Sequence, residues 1–321
     1  MIQPMKRILI TGSNGLLGQK TVEILSRTSC PLLLVSLEER SVFDEEIFPY
    51  RQVDLAKRQS VRNIIDEFEP DVIVNTAALT DVDLCEKERA LAWQVNVGSV
   101  ENLAYAAKLV GSKLVHLSTD YVFDGKSGPY SEVDRPNPLS YYGRTKLASE
   151  NLLLTIGVPS AIIRTMVLYG TGLKVKSNFA LWLYNNLKQG KQVKVVDDQI
   201  GNPTLVDDLA FAILKIIELD KTGLYHIAGS DLVSRFEFAN TLAEVFNFKK
   251  KLITAVKSTA FRQPAPRPLK SGFIILKAET ELNLKMSDTG HGLKILKNQL
   301  DALENGSDTG EIRNKKDYFN A

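Results

Sequence analysis

Apolar residues along this chain fall into short unbroken runs, separated by longer stretches in which they recur every three or four positions. Lys6 to Thr11, Leu32 to Val35, Asp71 to Asn75, Lys113 to Leu117 and Ala161 to Arg164 are runs of the kind shown by strands buried on both faces. A shorter third strand ends in Val53, Asp54 and Leu55, and Leu224 to Ala228 reads as a further one. Glu88 to Leu109, Ser140 to about Thr155, Val206 to Leu219, and Arg235 to Phe246 with Ser234 as N-cap, read as helices. This alternation predicts an α/β fold, a Rossmann-type doubly wound parallel sheet. After Thr165 the alternation breaks. The expectation is a nucleotide-binding domain over 1–165, with 205–229 returning to its sheet. A smaller C-terminal substrate-binding lobe then covers 166–321 and ends in a loose polar tail from about Glu304.

Composition narrows the function classes. A formal net charge of +2 over 321 residues gives no basic patch for nucleic acid or an anionic membrane. No segment approaches the roughly 18 apolar residues of a membrane span. Cys30 and Cys85 are isolated, which predicts reduced thiols and a cytoplasmic protein. His116, His226 and His291 are scattered, so no metal site is spelled out.

Three stretches carry chemistry. The first strand runs into Gly12, Ser13, Asn14, Gly15, Leu16, Leu17 and Gly18, a GxxGxxG turn. Its glycines permit close approach of backbone amides to a diphosphate at a helix N-terminus. Ser36 at the end of the second strand and Arg40 beyond it suit the 2'-phosphate of NADP, while Glu38 and Glu39 leave NAD open. Asp54, with Leu55, is placed to meet an adenine amine, and the small residues Ala77 and Ala78, followed by Leu79, let a cofactor lie against the sheet edge. Asn96 ties a helix to a strand.

The second stretch pairs a Ser/Thr cluster, HLSTDYVFDG from His116, with YYGRTK ending at Lys146. Tyr142 and Lys146 are four apart on a helix and share a face. A phenol of pKa roughly 10 next to a fixed cation is expected to titrate lower, within reach of proton transfer. The third stretch, PAPRP at 264–268, sets Arg267 on a constrained loop, either as a bidentate phosphate clamp or as a solvent-exposed charge.

With STDYVFDG at Ser118–Gly125, YGRTKLASE at Tyr142–Glu150, TDVDLCE at Thr80–Glu86, DQIGNPT at Asp198–Thr204 and RPLKS at Arg267–Ser271, the chain resembles the dTDP-4-dehydrorhamnose reductase family of extended short-chain dehydrogenase/reductases over about Lys6 to Ser271. The resemblance implies reduction of a nucleotide-linked 4-ketosugar by NAD(P)H, with NADP preferred. Thr119 would then meet the sugar C4 oxygen, Tyr142 deliver the proton, and Lys146 bind the nicotinamide ribose, with Asp120, Val167 and Arg267 also toward the substrate. It admits a homodimer. The 4,6-dehydratases carry Thr-Asp-Glu where Tyr121 follows Asp120 here, and epimerases carry a Ser-Ser or Ser-Thr run before Val-Tyr-Gly where this chain has Val122 and Phe123. The chain departs from many of these reductases at Leu79, where they carry an aromatic residue or His, and at Val167, where they carry Trp. A second relative, the regulatory beta subunit of methionine adenosyltransferase, shares the motifs and an apolar residue in place of that Trp, and implies a cofactor-binding subunit without turnover.

Overall fold

The structure, a computed structural model, describes residues 5–304. Its strands are β1 (Ile8–Thr11), β2 (Leu32–Ser36), β3 (Tyr50–Gln52), β4 (Val72–Asn75), β5 (Lys113–Thr119), β6 (Ser160–Thr165), β7 (Leu168–Tyr169), β8 (Val193–Val196), β9 (Ile200–Gly201), β10 (Thr204–Leu205), β11 (Gly223–His226), β12 (Val233–Ser234) and β13 (Ile253–Val256). The α-helices are α1 (Leu16–Leu25), α2 (Arg58–Phe68), α3 (Val82–Lys87), α4 (Arg89–Trp93), α5 (Ser99–Val110), α6 (Tyr141–Ile156), α7 (Phe179–Lys188), α8 (Val206–Glu218), α9 (Arg235–Val245), α10 (Leu276–Leu282) and α11 (Thr289–Glu304).

Seven strands form one parallel sheet in the order β11-β6-β5-β4-β1-β2-β3. Every residue of β1, β2, β4 and β5 is buried, as the unbroken apolar runs require. Successive residues of β1 face opposite layers. Ile8 and Ile10 pack with α1 and α8, whereas Leu9 packs with α2, α5 and α6. The strand order reverses between β1 and β4, opening a crevice beyond Thr11 and Asn75, the position where doubly wound sheets bind ligands. A third apolar cluster joins α7, α9 and α11 to the β8–β13 pair, and among the described residues no helix is long and apolar enough to cross a membrane.

Three sequence expectations are corrected. The third strand ends at Gln52, and 53–55 follow it, because the Asp54 carboxylate accepts from the Ala56 backbone N–H (3.0 Å) and turns the chain toward α2. The single helix expected over Glu88 to Leu109 is α4 and α5 joined by a π-turn at Gln94–Gly98, the extra residue of which seats the Asn96 side chain described below. The strand expected over Leu224 to Ala228 is Gly223–His226. The polar tail lies outside the described residues beyond Glu304, which itself pairs with Lys188.

Candidate active site

At the glycine turn, Gly12 has φ 67°, and a Cβ on it would lie 2.8 Å from the Ala77 backbone nitrogen. A Cβ on Gly18 would lie 2.2 Å from Gly12 O. The turn after β1 is therefore pressed against both the loop after β4 and its own helix, with no room for side chains. Gly15 caps α1 without a side-chain hydrogen bond, and the first turn holds no acidic residue. The first N–H groups of α1 thus have no side-chain acceptor, and they form a positive helix end suited to a diphosphate. Asn14 fixes the rim: its Nδ2 donates to Arg40 O (2.9 Å) and its Oδ1 accepts from Val42 N–H (3.1 Å).

At the end of β2 the Ser36 hydroxyl donates to the Glu38 carboxylate, which that bond holds below the usual carboxylate range. Arg40 is an exposed cation beside them. Asp54 and Leu55 are half-buried past β3, and Ala77, Ala78 and Leu79 are half-buried past β4. Both backbone groups of Leu79 are held by Asn96, whose Oδ1 accepts from Leu79 N–H (2.8 Å) and whose Nδ2 donates to Leu79 O (3.0 Å) and Thr145 Oγ1 (3.1 Å). One amide so ties the π-turn, the loop after β4 and α6 together.

Helix α6 presents Tyr142, Lys146 and Glu150 at four-residue spacing, all buried. Ser140 caps it by accepting from Gly143 N–H (3.2 Å). A Cβ on Gly143 would lie 2.1 Å from Tyr121 O, so that glycine lets the helix press onto the residues after β5. Far along the same face, Glu150 makes a buried pair with Arg164 (2.6 and 2.9 Å) and accepts from the Ser118 hydroxyl. This buried face of α6 is thereby fastened to β5 and β6.

Tyr142 is only 8% exposed and meets Tyr121 edge to face, with ring centroids 5.6 Å apart. Burial pushes its phenol well above the usual value, against the neighbouring Thr119 hydroxyl, which pulls it down. This reverses the expected direction. Lys146 is itself 2% exposed, and burial lowers its ammonium to about 8. The phenol is consequently kept protonated.

A polar chain that sequence reasoning missed supports Lys146. The Thr11 hydroxyl donates to Asn75 Oδ1 (2.7 Å), and the Asn75 amide faces His116 Nδ1 (3.2 Å). That arrangement leaves the imidazole proton on Nε2, toward Ser149 Oγ (3.0 Å), and Ser149 donates to Lys146 O (2.7 Å). Lys146 Nζ lies 3.4 Å from His116 Nε2. Burial and the lysine charge hold His116 well below its ordinary value, hence neutral.

Next to Thr119 the cleft is lined by Asp120, Tyr121, Val167 and Ser271. Thr119 Oγ1 donates to Asp120 Oδ1 (3.1 Å) and accepts from Tyr121 N–H (3.2 Å), and Ser271 Oγ donates to Asp120 Oδ2 (2.5 Å). Burial pushes the Asp120 carboxyl up to about 6. Val167 has φ 45°, an outlying conformation for a β-branched residue that costs roughly 1–3 kcal/mol. Arg267 is held bidentately by Asp83 (2.6 and 2.8 Å).

The model of the family described as RmlD substrate binding domain matches residues 5–301. The chain belongs to that family. It is 34% identical over 302 residues to a dTDP-4-dehydrorhamnose reductase of Aggregatibacter actinomycetemcomitans, covering 90% of this chain and 98% of that protein. It is also 32% identical over 250 residues to the methionine adenosyltransferase 2 subunit beta of Rattus norvegicus, covering 76% of this chain and 73% of that one. A solved dTDP-4-dehydrorhamnose reductase from Bacillus anthracis, in complex with NADP, superposes with a TM-score of 0.81 at 33% identity, covering 92% of this chain and 99% of the other.

Proposed function

We infer that this family member is an NAD(P)H-dependent oxidoreductase that reduces the 4-keto group of a nucleotide-linked deoxysugar, dTDP-4-dehydro-L-rhamnose to dTDP-L-rhamnose. NADPH is the preferred donor and NADH the alternative. The observation that carries the reading is the convergence of the Thr119 hydroxyl, the protonated Tyr142 phenol and the buried Lys146 ammonium beside an uncapped glycine turn. The bound dihydronicotinamide supplies a hydride. Gly12, Asn14, Gly15, Leu16, Leu17 and Gly18 hold the diphosphate; Ser36, Arg40, Asp54 and Leu55 hold the adenosine end, and Ala77, Ala78 and Leu79 back the cofactor.

On substrate binding Thr119 turns its hydroxyl proton from Asp120 to the C4 oxygen and orients it. As charge builds on that oxygen, Tyr142 gives up its proton, a contribution of roughly 10²- to 10⁴-fold in rate. Lys146 binds the nicotinamide ribose and, as a cation, stabilises the phenolate left behind. Asp120 and Val167 shape the sugar pocket, and Arg267 closes its rim. The reaction is an ordering of two reactants in one pocket plus one proton transfer.

Loss of NADPH absorbance on addition of the 4-ketosugar nucleotide tests this, with Tyr142→Phe expected to remove nearly all turnover and to leave NADPH affinity unchanged. Undiminished turnover in that variant sinks the assignment of the acid. The relationship to the methionine adenosyltransferase subunit supports a second reading, a cofactor-binding regulatory subunit. Tight NADPH binding without any ketosugar reduction by the parent protein would favour it.

A further inference from the structure

The cleft beyond Thr119 contains an arginine that the sequence pattern had not singled out. Arg235 opens α9, where its backbone N–H donates to Gln199 O (3.1 Å). Its side chain lines the same cleft as Asp120, Tyr121, Val167 and Ser271, and its guanidinium lies 4.9 Å from the centroid of the Phe179 ring. Among the described residues the guanidinium enters no ion pair and no hydrogen bond. Arg235 is half-buried; burial lowers its proton affinity against the attraction of Tyr121 and Asp120, and its guanidinium N–H groups are left without a hydrogen-bond acceptor among the described residues.

Arg267, expected either to clamp a phosphate or to stand exposed as a loop charge, is in the opposite condition. Its Nη1 and Nη2 donate to the two Asp83 oxygens (2.6 and 2.8 Å), and Nη1 also donates to Ala265 O (2.6 Å). Its fork is closed and its charge matched. The nearest carboxyl to Arg235 in the cleft, Asp120, is engaged instead by the Thr119 and Ser271 hydroxyls.

A cation drawn partly out of water with no carboxylate bound to its N–H groups is short of hydrogen-bond acceptors, and that shortage is unfavourable. A ligand anion offsets that cost. A guanidinium with an aromatic ring on one face keeps its N–H edge free, and two N–H groups in a fixed fork match two phosphate oxygens. Fixed by a ring and by the start of a capped helix, this fork is also pre-organised, so little conformational entropy is lost on binding.

We propose that Arg235 is the residue that grips the diphosphate of the nucleotide-sugar substrate. The assignment rests on the reductase reading above and extends it: the sugar is ordered between Thr119 at C4 and Arg235 at the phosphates, so the cleft selects nucleoside diphosphate sugars over free ketosugars.

Titration calorimetry of the full chain with dTDP, UDP and NADPH tests this without any turnover. Arg235→Met is expected to weaken dTDP and UDP roughly 10- to 100-fold each, with NADPH affinity unchanged as the check on folding. Arg235→Lys should restore part of the loss, and Arg267→Met should matter less than Arg235→Met. Unchanged dTDP affinity in Arg235→Met overturns the proposal. So does a variant that keeps dTDP but loses affinity for the ketosugar nucleotide, which would assign Arg235 to the hexose and leave the reductase reading standing. A parent protein that binds NADPH but neither diphosphate overturns the substrate class and the site together.

Discussion

Replacing Lys146 by methionine keeps an unbranched side chain of similar volume at the centre of the site and removes its charge. In the folded protein this ammonium is 2% exposed, and its pKa falls from 10.5 to about 8, through burial and despite the attraction of Glu150. That difference corresponds to roughly 3 kcal/mol, at about 1.4 kcal/mol per pH unit. The unfolded chain binds the proton up to about 10.5 and the folded one only up to about 8. Between those values the unfolded state carries more protons, so the stability of the parent protein rises with pH across that window. Below it the full cost of the buried charge is present.

Lys146→Met is therefore expected to be more stable than the parent at about pH 7 by roughly 2–3 kcal/mol, which for a chain of this size is a rise in Tm of roughly 3–5 °C. The His116 Nε2 proton keeps its acceptor, Ser149, so the substitution does not orphan the polar chain. Urea unfolding of both proteins at about pH 7 and about pH 10 isolates the lysine, since groups that do not touch it cancel in the difference and His116 stays neutral by burial at both pH values. The advantage of the variant should shrink toward zero as the pH rises, and its reductase activity should be lost at every pH. A variant that is less stable at neutral pH, or whose advantage is the same at both pH values, refutes the argument that Lys146 is held at the expense of stability.

The sheet was legible because its strands are buried on both faces, and such strands write themselves as unbroken apolar runs. The glycine turn and the Tyr142–Lys146 spacing were legible because both are local geometry. What could not be read depends on distant partners. The π-turn at Gln94–Gly98 accommodates an amide that bonds Leu79, 17 residues away in sequence. Whether Arg267 or Arg235 has a free fork is decided by Asp83, 184 residues from Arg267. The direction in which Tyr142 moves was missed for the same reason: spacing places a lysine four residues on, but the depth of burial, which dominates, is set by the whole fold. His116, one of three histidines scattered along the sequence, is placed beside Lys146 by the register that pairs Asn75 with His116 across β4 and β5. An arginine directly after an N-cap serine was the one local sign of Arg235.

Gly18→Ala sets a Cβ 2.2 Å from Gly12 O; the forced shift is expected to cost roughly 1–3 kcal/mol in thermal unfolding and to weaken NADPH binding by fluorescence titration, whereas native affinity and Tm would show the turn to be looser than drawn. Arg164→Met leaves Glu150, 5% exposed in its side chain, as an uncompensated buried carboxylate, and should destabilise by roughly 3–5 kcal/mol. The double variant Arg164→Met/Glu150→Leu removes both charges and should recover most of that loss, because the cost lies in the stranded charge and not in the missing attraction. A double variant no more stable than Arg164→Met would instead mean that the pair holds α6 in register by its geometry, and turnover would then fall in parallel with stability.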